Sequence, residues 1–157
     1  MIFGHTLEKV LSGEKTQTRR LVGPEERLYL SVENLAVIQW RKSKWTDYVK
    51  WEVGRTYAVQ PGRGKPAVGR ILLKNIWQEQ LRDITEEGAI AEGCEGKYFD
   101  YIFGRDSEGG PIVDVGYIPP VEVYFNLWDR IHTKPGTRWI DNPKVWVLEF
   151  ELAEKGE

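Results

Sequence analysis

The chain has 157 residues, of which 41% are hydrophobic and 29% charged, and its 22 basic and 24 acidic side chains give a net charge of −2. This composition supports a folded core without disulfide bonds, excludes a disordered chain, and offers no apolar run near the ~20 residues of a membrane helix. The slight excess of acidic residues disfavours bulk binding of duplex DNA. The chain contains one cysteine and two histidines, and we expect a cytoplasmic protein without metal, cofactor or membrane partner.

An amphipathic pattern near the start of the chain predicts the first helix. Apolar residues at helical spacing place this helix at residues 6–12, with Thr6 as its cap and Gly13 ending it in a left-handed turn. The polar, threonine-bearing residues 15–20 predict an extended segment directly after it. A helix followed by an extended segment is therefore expected here.

The middle of the chain predicts three strands and a second helix. Short apolar runs predict strands over residues 35–38 and 56–60. Residues 68–81 carry apolar side chains in both alternating sets, which predicts a strand buried on both faces. A threonine followed by two glutamates predicts a helix that begins near Thr85 and ends near Gly93.

The last third of the chain begins with a long segment rich in glycine and aromatic residues. Residues 93–120 form this segment, which we interpret as a hairpin or a flap over a pocket. Aromatic and aliphatic residues at helical spacing predict a helix over residues 121–132, with Phe125, Trp128 and Ile131 on its apolar stripe. Alternation over residues 146–152 predicts a strand with one face in the core.

The order of these elements indicates a fold class. Strands dominate, and the helices lie between them without the regular alternation of a parallel α/β protein. We expect an α+β fold in which a small β-barrel carries flanking helices. No linker divides the chain, so residues 1–157 are expected to form one domain with an insertion at about 93–120.

Two basic segments are candidates for contact with phosphates or bases. The run at 61–66 lacks the spacing of a phosphate-binding loop and is interpreted as a tight turn, although Arg63 and Lys65 can meet a phosphate at a rim. Three tryptophans alternate with basic residues and can stack on bases, although packing within the protein or at an interface is the more common role. These tryptophans are Trp40, Trp45 and Trp51.

The segment from Gly13 to Arg20, together with Glu92, forms the strongest candidate for chemistry. Without further context it is a turn followed by a charged edge strand. The alternative is that the Lys15 amine removes the proton of the Thr18 hydroxyl, which makes that hydroxyl a nucleophile.

This chemistry places three demands on the structure. The amine must be neutral, which burial or the positive charges of Arg19 and Arg20 would favour. A carboxylate beside the amine favours the ammonium form, so Glu92 must lie at a distance or share a proton with Lys15. Positions 15 and 18 point to opposite faces of a flat strand, so a bend between them is required.

The motif Gly13-x-Lys15-x-x-Thr18-x-Arg20 resembles the signature of the ASCH domain, a member of the PUA-like superfamily. Further segments in the right order extend the resemblance over nearly the whole chain. They are Val53–Gln60, Ile84–Gly93 and the ending from Phe125 to Phe150.

The resemblance implies a PUA-like fold with a cleft beside residues 15–20. Some small ASCH proteins remove acyl groups from N4-acylated cytidines, another is described as a ribonuclease, and the cleft is a proposed RNA-binding site. Carried over by motif, the catalytic roles fall on Lys15, Thr18 and Glu92. Arg20, together with Arg19, would order the cleft or stabilise developing negative charge.

Three functions remain open at this point. The first is an amidohydrolase for N4-acylated cytosine nucleosides that uses neither a metal nor a cofactor. The second is an RNA-binding module, and the third is a ribonuclease, both working through the same basic cleft. The partner is therefore a modified nucleoside or RNA, and the expected binding residues are Arg19, Arg20, Gln60, Arg63 and Lys65.

Overall fold

The computed structural model describes residues 1–156, so Glu157, the last residue of the expected domain, lies outside the described residues. Its helices are α1 (Leu7–Leu11), α2 (Glu86–Ala91) and α3 (Pro120–Ile131). Its strands are β1 (Gln17–Leu21), β2 (Glu26–Leu30), β3 (Leu35–Arg41), β4 (Thr46–Glu52), β5 (Thr56–Val59), β6 (Gly69–Gln80), β7 (Lys97–Arg105), β8 (Pro111–Ile118) and β9 (Lys144–Lys155).

The strands form three antiparallel sheets. The main sheet has the order β1-β9-β6-β5, the second sheet the order β2-β3-β4, and β7 and β8 form a separate two-stranded ribbon. The predicted α+β class is confirmed. The strands described do not close into one continuous barrel, because no ladder joins the main sheet to the second sheet.

Strand β9 lies at the centre of the main sheet and is buried on both faces along its first half. Val145 and Val147 pack into a cluster with residues of α2 and α3, whereas Trp146 and Leu148 pack on the opposite face against β3 and β6. The prediction of a strand with one face in the core is therefore wrong for this half. Helices cover one face and the second sheet covers the other, so both alternating sets are apolar.

Strand β6 shows the opposite departure from its prediction. Its buried side chains alternate as far as Leu73, a register shift falls between Leu73 and Asn75, and burial resumes at Ile76. The expectation of burial on both faces is wrong before the bulge and correct in part after it, where Ile76 packs against β3 and β9 and the half-buried Trp77 packs against the cluster of α2 and α3. Odd-numbered residues such as Ile71 and Leu73 face the core before the bulge, and the even-numbered Ile76 faces it afterwards. This change explains why apolar residues occur in both alternating sets.

The predicted helices are present near their expected bounds. The Thr85 side chain accepts a hydrogen bond from the Gly88 N–H at 3.0 Å and caps α2, while Thr6 makes no side-chain cap on α1. Gly13 follows α1 with a φ of 80°, as the predicted left-handed turn requires, and Gly93 follows α2 with a φ of 89°. None of the helices within residues 1–156 is long and apolar enough to cross a membrane.

Residues 97–118, here called the ribbon, form a hairpin that stands apart from the core. Not one of its residues is buried, and its exposed side chains include Tyr98, Phe103 and Tyr117. Asp106 closes the turn, where its carboxylate accepts hydrogen bonds from the N–H groups of Glu108 and Gly110. The predicted hairpin is confirmed, and only its base meets the rest of the chain at a cavity described below.

Candidate functional site

A cavity of about 670 Å³ opens between β1, the residues before α1, Trp51 and α3. Volumes of this order accommodate small organic ligands. The predicted catalytic residues all line it, together with both arginines of the same motif. These residues are Lys15, Thr18, Arg19, Arg20 and Glu92.

Backbone hydrogen bonds fix the motif between two helices. The Lys15 N–H donates to Lys9 O at 2.9 Å, and the Thr16 N–H donates to Ala91 O at 2.8 Å. Glu92 is the C-cap of α2, and its own N–H donates to Gly88 O at 3.0 Å. The ends of α1 and α2 therefore place Lys15 and Glu92 side by side.

A buried ion cluster connects these residues. Lys15 Nζ donates to Glu92 Oε2 at 2.7 Å, and their side chains are 6% and 4% exposed. Arg19 Nη1 donates to Glu92 Oε1 at 3.3 Å, and Arg19 Nε donates to Glu79 Oε1 at 2.7 Å. Because buried charges are tolerated only when paired, each of these groups depends on the others.

The cluster carries more cations than carboxylates. Three cations, Lys15, Arg19 and Arg20, stand against two carboxylates, Glu79 and Glu92. Of these groups, the Lys15 amine and the Glu92 carboxylate are in direct contact at 2.7 Å, and they are able to exchange a proton, which a guanidinium is not.

Thr18 reaches the same cavity from β1, the edge strand of the main sheet. Its backbone pairs with Leu148, and its side chain is buried. Lys15 precedes β1 and is free of that strand's alternation, and both residues line the cavity. Lys15 Nζ donates to Glu92, and within residues 1–156 no hydrogen bond joins the amine to the Thr18 hydroxyl.

Arg20 contributes a donor that the protein leaves unused. Its Nη2 donates to Ile2 O at 2.7 Å and its guanidinium lies 5.4 Å from the centre of the Phe3 ring. Its Nε is buried without a hydrogen-bond partner among the described residues. Burial lowers the pKa of Arg20, and the negative charge of Glu92 opposes that effect.

Helix α3 supplies a wall that the sequence analysis did not identify. Tyr124, Trp128 and His132 line the cavity at helical spacing, and the His132 ring stacks on Trp128 with centroids 3.8 Å apart. Burial, with the charge of Glu92, raises the pKa of Tyr124 well above its ordinary value, and burial lowers the pKa of His132. The spacing of four residues between Tyr124, Trp128 and His132 is the sequence feature that could have predicted this wall.

The apolar stripe predicted for α3 is correct at Trp128, which is buried, and wrong at the other two positions. Phe125 is half-buried and packs on Trp139 with ring centroids 5.3 Å apart, while Ile131 is exposed and borders the cavity. The helix contains two stripes that share Trp128, one through Phe125 and one through Tyr124. Packing of α2 against α3 selects the one through Tyr124, whose side chain is buried.

The remaining predicted binding residues lie elsewhere. Gln60, Arg63 and Lys65 do not line this cavity; Arg63 and Lys65 are exposed in the turn after β5. The Gln60 side chain donates to Lys65 O at 2.9 Å, and its backbone pairs with the Met1–Phe3 segment. Contact between these residues and a ligand of the cavity stays a prediction.

Cys94 lies beside the cluster but is not poised as a nucleophile. Burial, with the charge of Glu92, raises the pKa of its thiol to about 11, so the thiolate is scarce at neutral pH. In the part of the chain that is described, no group of three or more His, Cys, Asp or Glu side chains is arranged to hold a metal ion.

Comparison with known proteins relates the fold to solved structures. No protein-family model matches the chain, and no curated protein matches it. The crystal structure of an ASCH domain from Lactobacillus crispatus is similar over 95% of this chain and 70% of its own, with TM-score 0.50 and 16% identity. A DUF984 protein from Enterococcus faecalis is similar over 97% of this chain and 72% of its own, with TM-score 0.51 and 13% identity.

These similarities define the class of fold. The chain has a PUA-like α+β fold, and within that class it has the architecture of the ASCH domain. The resemblance drawn from the motif at residues 13–20 is thereby confirmed for the fold. A fold does not determine an activity, so the function has to be argued from the site.

Proposed function

We propose that this protein is an amidohydrolase that removes acyl groups from N4-acylated cytosine nucleosides. One observation carries the proposal: Lys15, Thr18 and Glu92 line a single cavity of about 670 Å³, and a buried contact of 2.7 Å joins the Lys15 amine to the Glu92 carboxylate. An amine, a hydroxyl and a carboxylate in one sheltered cavity are the groups that acyl transfer requires.

Formation of an acyl-enzyme is the first half of the proposed reaction. Lys15 passes a proton to Glu92, and the neutral amine accepts the proton of Thr18 Oγ1 as that oxygen bonds to the acyl carbon. The carbonyl electron pair moves to oxygen and then returns as the bond to N4 breaks. Glu92 delivers its proton to the leaving nitrogen, which gives cytidine and an ester on Thr18.

Hydrolysis of that ester completes the cycle. Lys15, holding the proton taken from Thr18, returns it to Oγ1 while water adds to the acyl carbon and Glu92 takes the water's proton. Glu92 then returns this proton to Lys15, which restores the starting ammonium and carboxylate, and the products are the free acid and the Thr18 hydroxyl. Arg20 Nε, a donor without a partner in the described chain, is suited to stabilising the oxyanion in both halves.

The aromatic wall suits the base of this substrate. Trp51, Tyr124 and Trp128 line the cavity beside the catalytic residues. Flat apolar faces favour a pyrimidine ring, and the neighbouring charges favour its polar edge. The wall therefore accounts for recognition of a nucleobase and the cluster for its chemistry.

Acid release from N4-acetylcytidine tests the proposal. Thr18→Ala is expected to reduce kcat/KM by about 1,000-fold or more, because the nucleophile is lost. Thr16→Ala is the matched control, since Thr16 does not line the cavity. Wild-type protein that is inert towards a panel of N4-acylated cytidines, or a Thr18→Ala variant that keeps full activity, would overturn it.

A second candidate function rests on a separate surface. Trp40 and Trp45 are exposed at the β3–β4 turn with ring centroids 6.5 Å apart, beside Arg41, Lys42 and Lys44. Aromatic and basic side chains together bind single-stranded RNA. RNA binding that weakens with salt and with Trp45→Ala would support this function, and RNA cleaved in that assay would indicate a ribonuclease.

A further inference from the structure

A second cavity adjoins the first. It has a volume of about 620 Å³ and lies between α1, residues 93–97, the base of the ribbon and α3. His5, Thr6 and Leu127 line both cavities, so the two share a wall. A ligand long enough to reach past these three residues would contact both cavities.

The second cavity is positively charged, although the chain as a whole has a net charge of −2. Its lining contains Lys9, Lys97 and Arg130 but a single carboxylate, Glu95. Lys9 donates to Glu14 at 2.6 Å and to Glu95 at 3.3 Å, so it is neutralised within the protein. Among residues 1–156, no carboxylate lies within 4.0 Å of the Lys97 or Arg130 charges.

Lys97 and Arg130, two cations without a carboxylate partner in the described chain, suit a phosphate group in a cavity beside the proposed nucleoside site. We infer that the second cavity binds a phosphate of the substrate, which is then a phosphorylated N4-acylcytidine and not the free nucleoside. The base occupies the first cavity, the ribose lies at the shared wall, and the phosphate meets Lys97 and Arg130. This inference rests on the proposed function for its substrate.

Kinetics on matched substrates test the inference. We expect kcat/KM for a 5′- or 3′-monophosphate of N4-acetylcytidine to exceed that of N4-acetylcytidine by about 10-fold or more. Lys97→Gln and Arg130→Gln should each remove most of this preference and leave hydrolysis of the nucleoside unchanged. Arg105→Gln, at the far end of the ribbon, is the charge-matched control.

The source of the phosphate is resolved by a further arm of the same experiment. A short single-stranded RNA containing one N4-acetylcytidine offers a phosphodiester, and the free nucleotide offers a monoester. A higher kcat/KM for either one identifies that compound as the substrate form. Equal kcat/KM for nucleoside, nucleotide and oligonucleotide would overturn the inference, as would variants that slow all three alike.

Calorimetric binding separates failure of the inference from failure of the proposed function. If no acylated compound is hydrolysed, the proposed function fails, and titration with cytidine and with its 5′- and 3′-monophosphates still tests the second cavity. Tighter binding of a monophosphate that Lys97→Gln weakens would uphold the phosphate site. Equal affinity for cytidine and both monophosphates, or binding of none, would refute it.

Discussion

Glu92 accepts hydrogen bonds from two buried cations, Lys15 at 2.7 Å and Arg19 at 3.3 Å. Glu92→Gln is expected to destabilise the fold by about 3 kcal/mol, because both cations lose their shared counter-charge in a dry site. Urea denaturation followed by circular dichroism measures this change. Glu95→Gln is the control, since Glu95 is 67% exposed and should shift stability by less than about 0.5 kcal/mol. Equal unfolding midpoints for the two variants would contradict the structural role of Glu92.

Glu26 gives a pH-dependent contribution to stability. Burial alone would raise the pKa of this carboxyl, but hydrogen bonds from Lys50, the Gly23 N–H and the Trp146 indole outweigh burial and lower it. A carboxyl whose pKa is lower in the folded state stabilises the fold above its unfolded pKa. That contribution is lost as the pH falls through the folded pKa.

We therefore expect wild-type protein to lose more unfolding free energy than Glu26→Gln between about pH 7 and about pH 3. Chemical denaturation at a series of pH values measures the difference. Glu25→Gln serves as the control, because the neighbouring Glu25 is exposed. Parallel pH profiles for wild type and Glu26→Gln would show that Glu26 keeps an ordinary pKa in the folded protein.

The residues of the motif could be predicted from the sequence, whereas the side chains that contact them could not. The spacing of Lys15 and Thr18, together with the helix that ends at Glu92, predicted residues that line one cavity. Glu79 was not anticipated because its contact with Arg19 depends on the register of β6 beyond its bulge. Tyr124 was missed because two apolar stripes overlap on α3.

The ribbon is the element that contributes least to the core. None of residues 97–118 is buried, and β7 and β8 pair with each other alone in the described sheets. We expect that replacing residues 99–116 by Asn-Gly, which joins the paired residues Tyr98 and Tyr117, changes Tm by less than about 4 °C. Thermal unfolding followed by circular dichroism measures it; loss of cooperative unfolding would show that the ribbon supports the core.

The two longest strands show what a sequence pattern leaves undetermined about an element. β6 and β9 each carry apolar residues in both alternating sets, but the causes differ. In β9 both faces are covered, whereas in β6 a bulge after Leu73 exchanges the two sets. Alternation is a local property, and the sequence does not mark where a partner strand shifts register.

For the whole molecule, the layered arrangement predicts an order of local stability. β9 and β6 pair along nearly their entire lengths and together carry eight buried apolar side chains, while the ribbon carries none. Amide hydrogen exchange should therefore be slowest in β6 and β9 and fastest in the ribbon, by about 1,000-fold or more. Exchange measured by NMR tests this order, and equal protection in the ribbon and β9 would contradict it.

The α+β class was predictable for the whole molecule, and the shape of the site was not. Strand and helix patterns have periods that a sequence displays directly. The cavity, by contrast, is lined by residues 2–6, Lys15, residues 18–21, residues 50–51, Glu92 and one side of α3, which the topology brings together from distant parts of the chain. Its volume and its basic neighbour depend on these long-range contacts.

The ribbon has a consequence for how molecules of this protein meet in concentrated solution. Its two outer strand edges have no β-partner within residues 1–156, so each presents free backbone donors and acceptors. A contact that uses one edge leaves the opposite edge available for another molecule. Association through the ribbon would therefore not stop at a closed pair but would extend as a filament, with Asp100 and Asp114 as the charges that oppose its growth.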